Sequence, residues 1–187
     1  ILGKESFENL TELDLCNNRI TSIEPLTQAQ FKKLTFLSLC NNKINNLDSL
    51  VNFPFINLKD LRLSYDEVSN IDVFEKVKFP SLKELNLSSN KISNINVFSK
   101  VKFNELQELS LTNNNIIDIN VFEKVKFDQL QKLELGGNKI KDINVLEKAK
   151  FMKLKKLFLY MNNISSISVL EKINFKEINE INLNDNK

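Results

Sequence analysis

Phenylalanine recurs every 24 residues along this chain, and that period constrains the fold more than any other feature. It stands at positions 7, 31, 55, 79, 103, 127, 151 and 175, without one insertion. Each copy carries apolar residues at the same offsets, which after Phe79 are Leu82, Leu85, Leu87, Ile92, Ile95, Phe98 and Val101. Because each copy can bury its apolar side only against its neighbours, the copies are expected to stack into a solenoid.

The first half of each copy has the pattern of a half-buried strand. In residues 84–88, apolar and polar residues alternate, so Leu85 and Leu87 should point inward and Glu84, Asn86 and Ser88 outward. A return segment separates each strand from the next, so neighbouring strands must be parallel. The pattern predicts a parallel ribbon that exposes one polar face.

The return segment has the pattern of a short helix. N-cap residues precede an apolar stretch, and glutamate follows three residues later, as in the pair Asp72 and Glu75. This spacing is that of a capping box. It predicts helices of about two turns, such as residues 73–77, with Phe74 and Val77 facing inward.

The motif L-x-x-L-x-L-x-x-N-x-I resembles the leucine-rich repeat family. It is formed here by Leu82, Leu85, Leu87, Asn90 and Ile92, and the resemblance covers essentially the whole chain. The implied fold is α/β: a curved, right-handed leucine-rich repeat solenoid with a parallel β-ribbon on the concave face and short helices on the convex face. The family also implies recognition of a protein partner on the concave face.

Two further columns, one aromatic and one polar, recur with the same period. The repeated phenylalanines are expected to form a continuous aromatic column in the core. An inward asparagine after each strand can donate and accept hydrogen bonds within and between turns. This asparagine ladder comprises Asn18, Asn42, Asn90, Asn114, Asn138, Asn162 and Asn186, with Asp66 as the exception. An ionised aspartate only accepts, so its replacement by asparagine should be neutral or stabilising.

The repeats divide the chain without a second domain. Residues 1–6 match the end of a preceding repeat, residues 7–174 form seven full repeats, and residues 175–187 form the first half of an eighth. Neither end shows a polar capping segment, and the chain does not begin with Met. We expect residues 1–187 to be one array within a longer protein.

Composition argues for binding rather than catalysis. The chain has no histidine and only three glycines, which disfavours common acid–base, metal and phosphate-loop chemistry, so we expect no enzyme activity and no cofactor. The net charge of +2 and the lack of a long apolar run predict no nucleic-acid or membrane partner. Because no catalytic chemistry is expected, we also expect no small-molecule substrate. The expected partner is a protein, and the expected role is that of an adaptor, scaffold or regulatory subunit.

The compartment is predicted from cysteine usage. Cys16 and Cys40 occupy one offset in adjacent repeats and are expected to be free thiols, and the cysteine-rich caps of extracellular family members are not evident. A glycan on Asn86, which opens an N-x-S sequon, would obstruct the predicted binding face. We therefore predict a cytoplasmic protein. The alternatives are a secreted or cell-surface recognition or adhesion protein of the internalin kind, and a spacer that binds nothing.

Phe158, Tyr160 and Met161 are predicted to anchor the partner. If Leu157 and Leu159 face the core, Phe158 and Tyr160 must face outward. Aromatic residues beside methionine have the composition of binding hot spots.

The surroundings of these anchors complete the predicted site. Gly136 and Gly137, at matching offsets of the preceding repeat, should leave a shallow recess beside Tyr160, with Lys156 and Glu134 on a charged rim. An alternative site lies near the other end of the ribbon and comprises Phe36, Arg62 and Tyr65.

Overall fold

The strands form one continuous parallel sheet. The computed structural model describes residues 7–53 and 55–187. Within these residues eight three-residue strands pair in chain order. They are β1 (Glu12–Asp14), β2 (Phe36–Ser38), β3 (Asp60–Arg62), β4 (Glu84–Asn86), β5 (Glu108–Ser110), β6 (Lys132–Glu134), β7 (Lys156–Phe158) and β8 (Glu180–Asn182). The register pairs Leu61 with Leu85 and Leu85 with Leu109, as the 24-residue period requires.

The fold class predicted from the repeats is confirmed. The sheet lines the concave face of a solenoid, and the return segments cover the opposite side. Leu85 and Leu87 are buried, whereas Glu84 and Asn86 are only partly covered. The predicted role of residues 1–6, as the end of a preceding repeat, lies outside the described residues.

The return helices are shorter than predicted, and they are 3-10 helices. The described helices are Glu24–Gln28, Asp48–Asn52, Asp72–Glu75, Asn96–Ser99, Asn120–Glu123, Asn144–Glu147 and Ser168–Glu171. Each contains four or five residues, which is little more than one turn of a 3-10 helix. The prediction of two helical turns was therefore wrong.

The predicted capping box is also wrong. Asp72 is the first helical residue, and its backbone N–H donates to Oδ1 of Asn70 at 2.7 Å. In the same way, Oδ1 of Asn94 accepts the N–H of Asn96, the first residue of the next helix. Glu75 ends its helix and pairs with Lys100 of the following repeat at 3.0 Å. In so short a helix, the glutamate links repeats instead of capping its own turn.

The aromatic column is not continuous. Ring centroids of Phe7 and Phe31 lie 5.6 Å apart, and near the other end those of Phe151 and Phe175 lie 5.9 Å apart. In the middle, the contacts run instead between a helix phenylalanine and the column ring 29 residues further along the chain. These pairs are Phe74 with Phe103, Phe98 with Phe127, and Phe122 with Phe151, at 5.5–5.9 Å. A phenylalanine on the middle helices reaches the column and redirects its ring contacts.

The asparagine ladder is confirmed, and it joins each repeat to the one before. Asn90 Nδ2 donates to the carbonyl of Leu63 in the preceding repeat at 2.7 Å and to its own Leu87 carbonyl at 3.1 Å. Its Oδ1 accepts the N–H of Val68, also in the preceding repeat, at 3.0 Å. One buried side chain therefore provides the donors and the acceptor that a turn leaves unpaired.

Candidate functional site

The concave face is built from the outward residues of the eight strands. The first and third residues of each strand project from the sheet, because side chains alternate along a strand. The middle residue is buried in β2 to β7, whereas in the terminal strands it is partly buried (Leu13) or exposed (Ile181). From β1 to β8, the first positions are Glu12, Phe36, Asp60, Glu84, Glu108, Lys132, Lys156 and Glu180. The third positions are Asp14, Ser38, Arg62, Asn86, Ser110, Glu134, Phe158 and Asn182. These two rows hold most of the residues predicted from sequence to bind a partner.

An aromatic–cationic cluster lies near one end of this face, and we call it the Arg62 cluster (Phe36, Asp60, Arg62 and Tyr65). The Arg62 guanidinium lies over the Phe36 ring, 5.1 Å from its centroid. It also binds the Asp60 carboxylate through two nitrogens, with Nη2–Oδ2 at 2.8 Å. The hydrogen bonds that Arg62 donates to Asp60 raise the pKa of Arg62. Tyr65 follows β3 and is 64% exposed.

A second cluster of the same kind lies four repeats further on, and we call it the Lys132 cluster (Lys132, Glu134, Phe158, Tyr160 and Met161). Lys132 Nζ lies 5.9 Å from the Phe158 ring centroid and pairs with Glu134 at 2.8 Å. Phe158 and Tyr160 are half-buried, and Met161 is 56% exposed.

Lys156, the other predicted rim residue, lies at the edge of the Lys132 cluster. Its side chain is exposed and pairs with Glu180 on the next strand at 3.0 Å. The structure thus brings Glu134 and Phe158 together beside Lys132, while Lys156 is directed toward Glu180. Lys132 was missed by the sequence analysis, although its position one strand before Phe158 could have indicated it.

The predicted recess beside Tyr160 is filled by Tyr160 itself. The ring occupies the space that a Cβ atom on Gly136 would need. Gly137 has a φ of +64° and is packed against the side chain of Asn113. The prediction of an open recess was wrong because the tyrosine ring packs directly against Gly136 of the preceding repeat, and the absence of a side chain there permits that approach.

Carboxylates crowd the centre of the face between the two clusters. Asp60, Glu84 and Glu108 occupy neighbouring strands in register, followed by Lys132. Burial raises the pKa of Glu84, and the charges of Asp60 and Glu108 raise it further. These residues line a shallow polar depression of about 170 Å³. The centre of the concave face therefore presents more acidic than basic groups.

The third residue after each strand adopts a left-handed backbone conformation, which the sequence analysis did not predict. The positions are Asn17, Asn41, Tyr65, Ser89, Asn113, Gly137, Met161 and Asp185, with φ between 51° and 64°. Asparagine, aspartate and glycine tolerate this conformation, whereas a bulky side chain there is unusual. Tyr65 and Met161 are the exceptions, and both are predicted site residues. The predominance of asparagine, aspartate and glycine at this offset was the available signal.

The two cysteines lie at the edge of the same face, and the prediction of free thiols is confirmed. Cys16 Sγ is 2.7 Å from the hydroxyl of Ser38, which in turn lies 3.4 Å from Cys40 Sγ. Ser64 donates to Cys40 Sγ at 3.1 Å. Burial raises the pKa of Cys16 to about 11, so its thiol stays protonated at neutral pH.

The described surface also bears on other classes of site. In residues 7–53 and 55–187, no group of three or more histidine, cysteine, aspartate or glutamate side chains is placed to hold a metal ion. The helices of that part of the chain are far too short to cross a membrane. A wider depression of about 620 Å³ lies on the convex side among the return helices, with Val51, Glu75 and Lys100 in its lining. Most of its lining residues are polar or charged, three are valines, and none is aromatic.

Comparison with protein families identifies two matches along the chain. A model described as leucine-rich repeats in two copies matches residues 8–52. A second, described as leucine-rich repeat, matches residues 80–140. A search of curated proteins found no match.

Comparison with solved structures finds internalins of Listeria monocytogenes. The internalin inlF is 28% identical with a TM-score of 0.79, and the match covers 96% of this chain and 49% of that protein. The internalin inlC2 is also 28% identical, with a TM-score of 0.78, covering 94% of this chain and 72% of that one.

The functional domain of InlJ, described as including a cysteine ladder, is 22% identical with a TM-score of 0.62, covering 96% and 40% of the two chains. At that identity the likeness concerns the fold alone. The chain spans about half the length of the inlF structure that it matches.

Proposed function

The chain belongs to the leucine-rich repeat family, and on that premise we propose that it is a protein-interaction module whose partner binds the concave strand face. The observation that carries the proposal is the pair of aromatic–cationic clusters on that face. Each presents an aromatic ring beside a cation, together with an exposed side chain held in a left-handed turn. We assign these residues a binding role rather than a catalytic one, with no cofactor.

The backbone at Tyr65 and Met161 supports this assignment. A residue with a large side chain in the left-handed region is destabilised by about 1–2 kcal/mol. Both side chains are more than half exposed, so core packing does not compensate for that cost. Strained residues of this kind concentrate at functional sites. Contact with a partner would explain why these two turns differ from the others.

The Lys132 cluster is proposed as the principal anchor. Phe158, Tyr160 and Met161 combine apolar area with a hydroxyl group, and aromatic residues are enriched among binding hot spots. Glu134 and Lys156 would form its polar rim. The Arg62 cluster, with Phe36 and Tyr65, is proposed as a second contact, separated from the first by the acidic centre of the face.

A double variant tests the proposal. The full-length protein would first be cross-linked to its partner in extracts of its own cells, and the purified partner then titrated by calorimetry. Phe158→Ser with Tyr160→Ser should weaken binding by at least ~2 kcal/mol, which is about 30-fold. Circular dichroism and thermal unfolding establish that the variant retains its fold.

The matched control replaces two exposed apolar residues outside the strands. Ile117→Ser with Met152→Ser removes comparable apolar surface, since these residues are 60% and 45% exposed. Its affinity should equal that of the unchanged protein. Equal weakening by both variants, or full affinity in the Phe158/Tyr160 variant, would place the site elsewhere.

We propose two settings for the module. A secreted or cell-surface recognition or adhesion protein of the internalin kind is favoured by the 28% identity to two internalin structures. An adaptor, scaffold or regulatory subunit in the cytoplasm is favoured by the two cysteines, which are free thiols and form no disulfide. Fractionation of cells that express the tagged full-length protein distinguishes them, because only the first setting delivers the protein to the surface or the medium.

A further inference from the structure

Asp66 occupies a rung of the asparagine ladder and leaves half of it unmade. Its Oδ1 accepts the N–H of Ile44 at 3.0 Å, as the asparagine oxygen does at other rungs. Its Oδ2 is buried and has no hydrogen-bond partner among the described residues, and the residue is only 7% exposed. Asp66 is therefore a deeply buried acid with one unpaired oxygen.

The repeat indicates what surrounds that oxygen. At the next rung, Asn90 Nδ2 donates to the carbonyls of Leu63, Leu87 and Ser88. The corresponding carbonyls at the Asp66 rung are those of Leu39, Leu63 and Ser64. An ionised carboxylate facing carbonyl oxygens is repelled, whereas a protonated one can donate. Burial raises the pKa of Asp66 to about 6, although the backbone N–H groups of Ile44 and Asn42 oppose the change.

Few charged groups face this rung. Glu67, the next residue, raises the pKa of Asp66 slightly, and its carboxylate pairs with Lys91 of the following turn at 2.8 Å. Lys43 of the preceding turn acts on Glu67. Cys40 lies on the strand side, in contact with Ser64. The chain has no histidine, so none of these neighbours normally titrates near pH 6.

We propose that the turn at Asp66 is a pH-sensitive joint between the second and third repeats. Protonated Asp66 donates from Oδ2 to the Leu39 or Leu63 carbonyl and completes the ladder. Ionised Asp66 leaves that rung open and weakens the joint. The switch needs only a proton from solvent and the groups of the two adjacent turns.

The direction of the effect follows from linkage. The folded protein holds the Asp66 proton more tightly than the unfolded chain, whose carboxyl has the ordinary pKa of 3.8. The stabilisation is therefore complete below about pH 4 and is lost as the pH rises to about 6. This is opposite to the usual behaviour of a salt-bridged aspartate.

The joint adjoins the Arg62 cluster. Tyr65 immediately precedes Asp66, and its N–H donates to the Ser88 carbonyl at 3.0 Å. Loosening this turn frees the exposed tyrosine ring, so acidification should order one of the two proposed contacts. That consequence for binding rests on the proposed function, whereas the joint itself does not.

Amide hydrogen exchange on the free, full chain tests the joint. Protection of the Ile44 amide, corrected for intrinsic exchange, should fall by about 10- to 100-fold between pH 4.5 and 7.5, and the fall should level off above about pH 6. The Val68 and Ile92 amides serve as internal controls, because they donate to Asn90 and Asn114. Their protection should not follow this titration.

Two variants complete the design. Asp66→Asn restores the residue found at the other rungs, so it should fold and give high Ile44 protection at both pH values. Glu84→Gln removes another carboxyl of raised pKa and should leave the pH dependence intact. A flat Ile44 profile in the unchanged protein, or a pH dependence that survives Asp66→Asn, would overturn the proposal. Neither result depends on partner binding, so this test and that of the binding surface fail independently.

Discussion

Replacing Asn114 by leucine is the most direct test of the ladder that joins the repeats. The Asn114 amide donates to the carbonyls of Leu87, Leu111 and Thr112 at 3.0–3.3 Å. Its Oδ1 accepts the N–H of Ile92 at 3.0 Å. Leucine has nearly the same shape and makes none of these four bonds, so the change isolates hydrogen bonding from packing.

The magnitude depends on which groups lose their last partner. Leu87 retains the bond from Asn90, and Leu111 retains the bond from Asn138. The Ile92 N–H, on a buried residue, is left without an acceptor. One buried unsatisfied group costs ~1–3 kcal/mol, and the weakened carbonyls add to it. We expect the free energy of unfolding to fall by about 2–4 kcal/mol after partial compensation by leucine burial.

Asp66→Leu provides the informative comparison. This change also leaves one backbone donor, the Ile44 N–H, without an acceptor. It removes, however, a buried carboxylate oxygen that has no partner in the described structure. Its cost should therefore be smaller than that of Asn114→Leu. The partly exposed Asn115, which accepts a bond from Lys139 at 2.8 Å, gives the matched control Asn115→Leu, with an expected change below ~0.5 kcal/mol.

Urea unfolding followed by circular dichroism measures all three variants. The slope of the transition must be compared as well, because a broken joint in a repeat array can reduce cooperativity. If Asn114→Leu unfolds within ~0.5 kcal/mol of the unchanged protein, or later than Asp66→Leu, the ladder does not couple the repeats as described.

Three further predictions concern the left-handed turns, the contact of Tyr160 with Gly136, and the Cys16 thiol. Tyr65→Asn and Met161→Asn should each raise the free energy of unfolding by about 1 kcal/mol, because asparagine tolerates the left-handed turn; urea midpoints below that of the unchanged protein would contradict this. Gly136→Ala should displace the Tyr160 ring and lower the melting temperature, and the loss should shrink when Tyr160→Ser is added. Cys16 should react with a thiol reagent at pH 8 about 100-fold or more slowly than a free cysteine, and rapid reaction in the native state would refute the raised pKa.

The sheet and the ladder could be predicted because one period fixes both. A leucine that repeats every 24 residues, as Leu61, Leu85 and Leu109 do, can stack only in one register. A one-residue shift would bury Glu84 and expose Leu85. The inward asparagine follows from the same logic, since a buried turn requires a partner that both donates and accepts.

The return helices and the site details depended on geometry that residue types do not determine. The spacing of Asp72 and Glu75 fits a capping box, but it does not determine how many residues of the return segment are helical. The observed acceptor, Asn70, lies two positions before its helix. A polar residue occupies the same position before each of the other described helices, so this signal was present in the sequence. The position of the Tyr160 ring over Gly136 depends on a side-chain rotamer across strands, for which the sequence has no periodic signal.

In both clusters on the concave face, a cation lies between a carboxylate and an aromatic ring, and this arrangement suggests what the charged residues do. Surface ion pairs contribute little to stability, and Arg62–Asp60 and Lys132–Glu134 are partly exposed pairs of this kind. Each cation is held by its carboxylate and placed over a neighbouring ring, so the pair restricts the ring more than it stabilises the fold. A ring that is ordered before binding loses less conformational entropy when a partner covers it. Removing Asp60 or Glu134 should therefore weaken binding through the aromatic ring, even if neither carboxylate touches the partner.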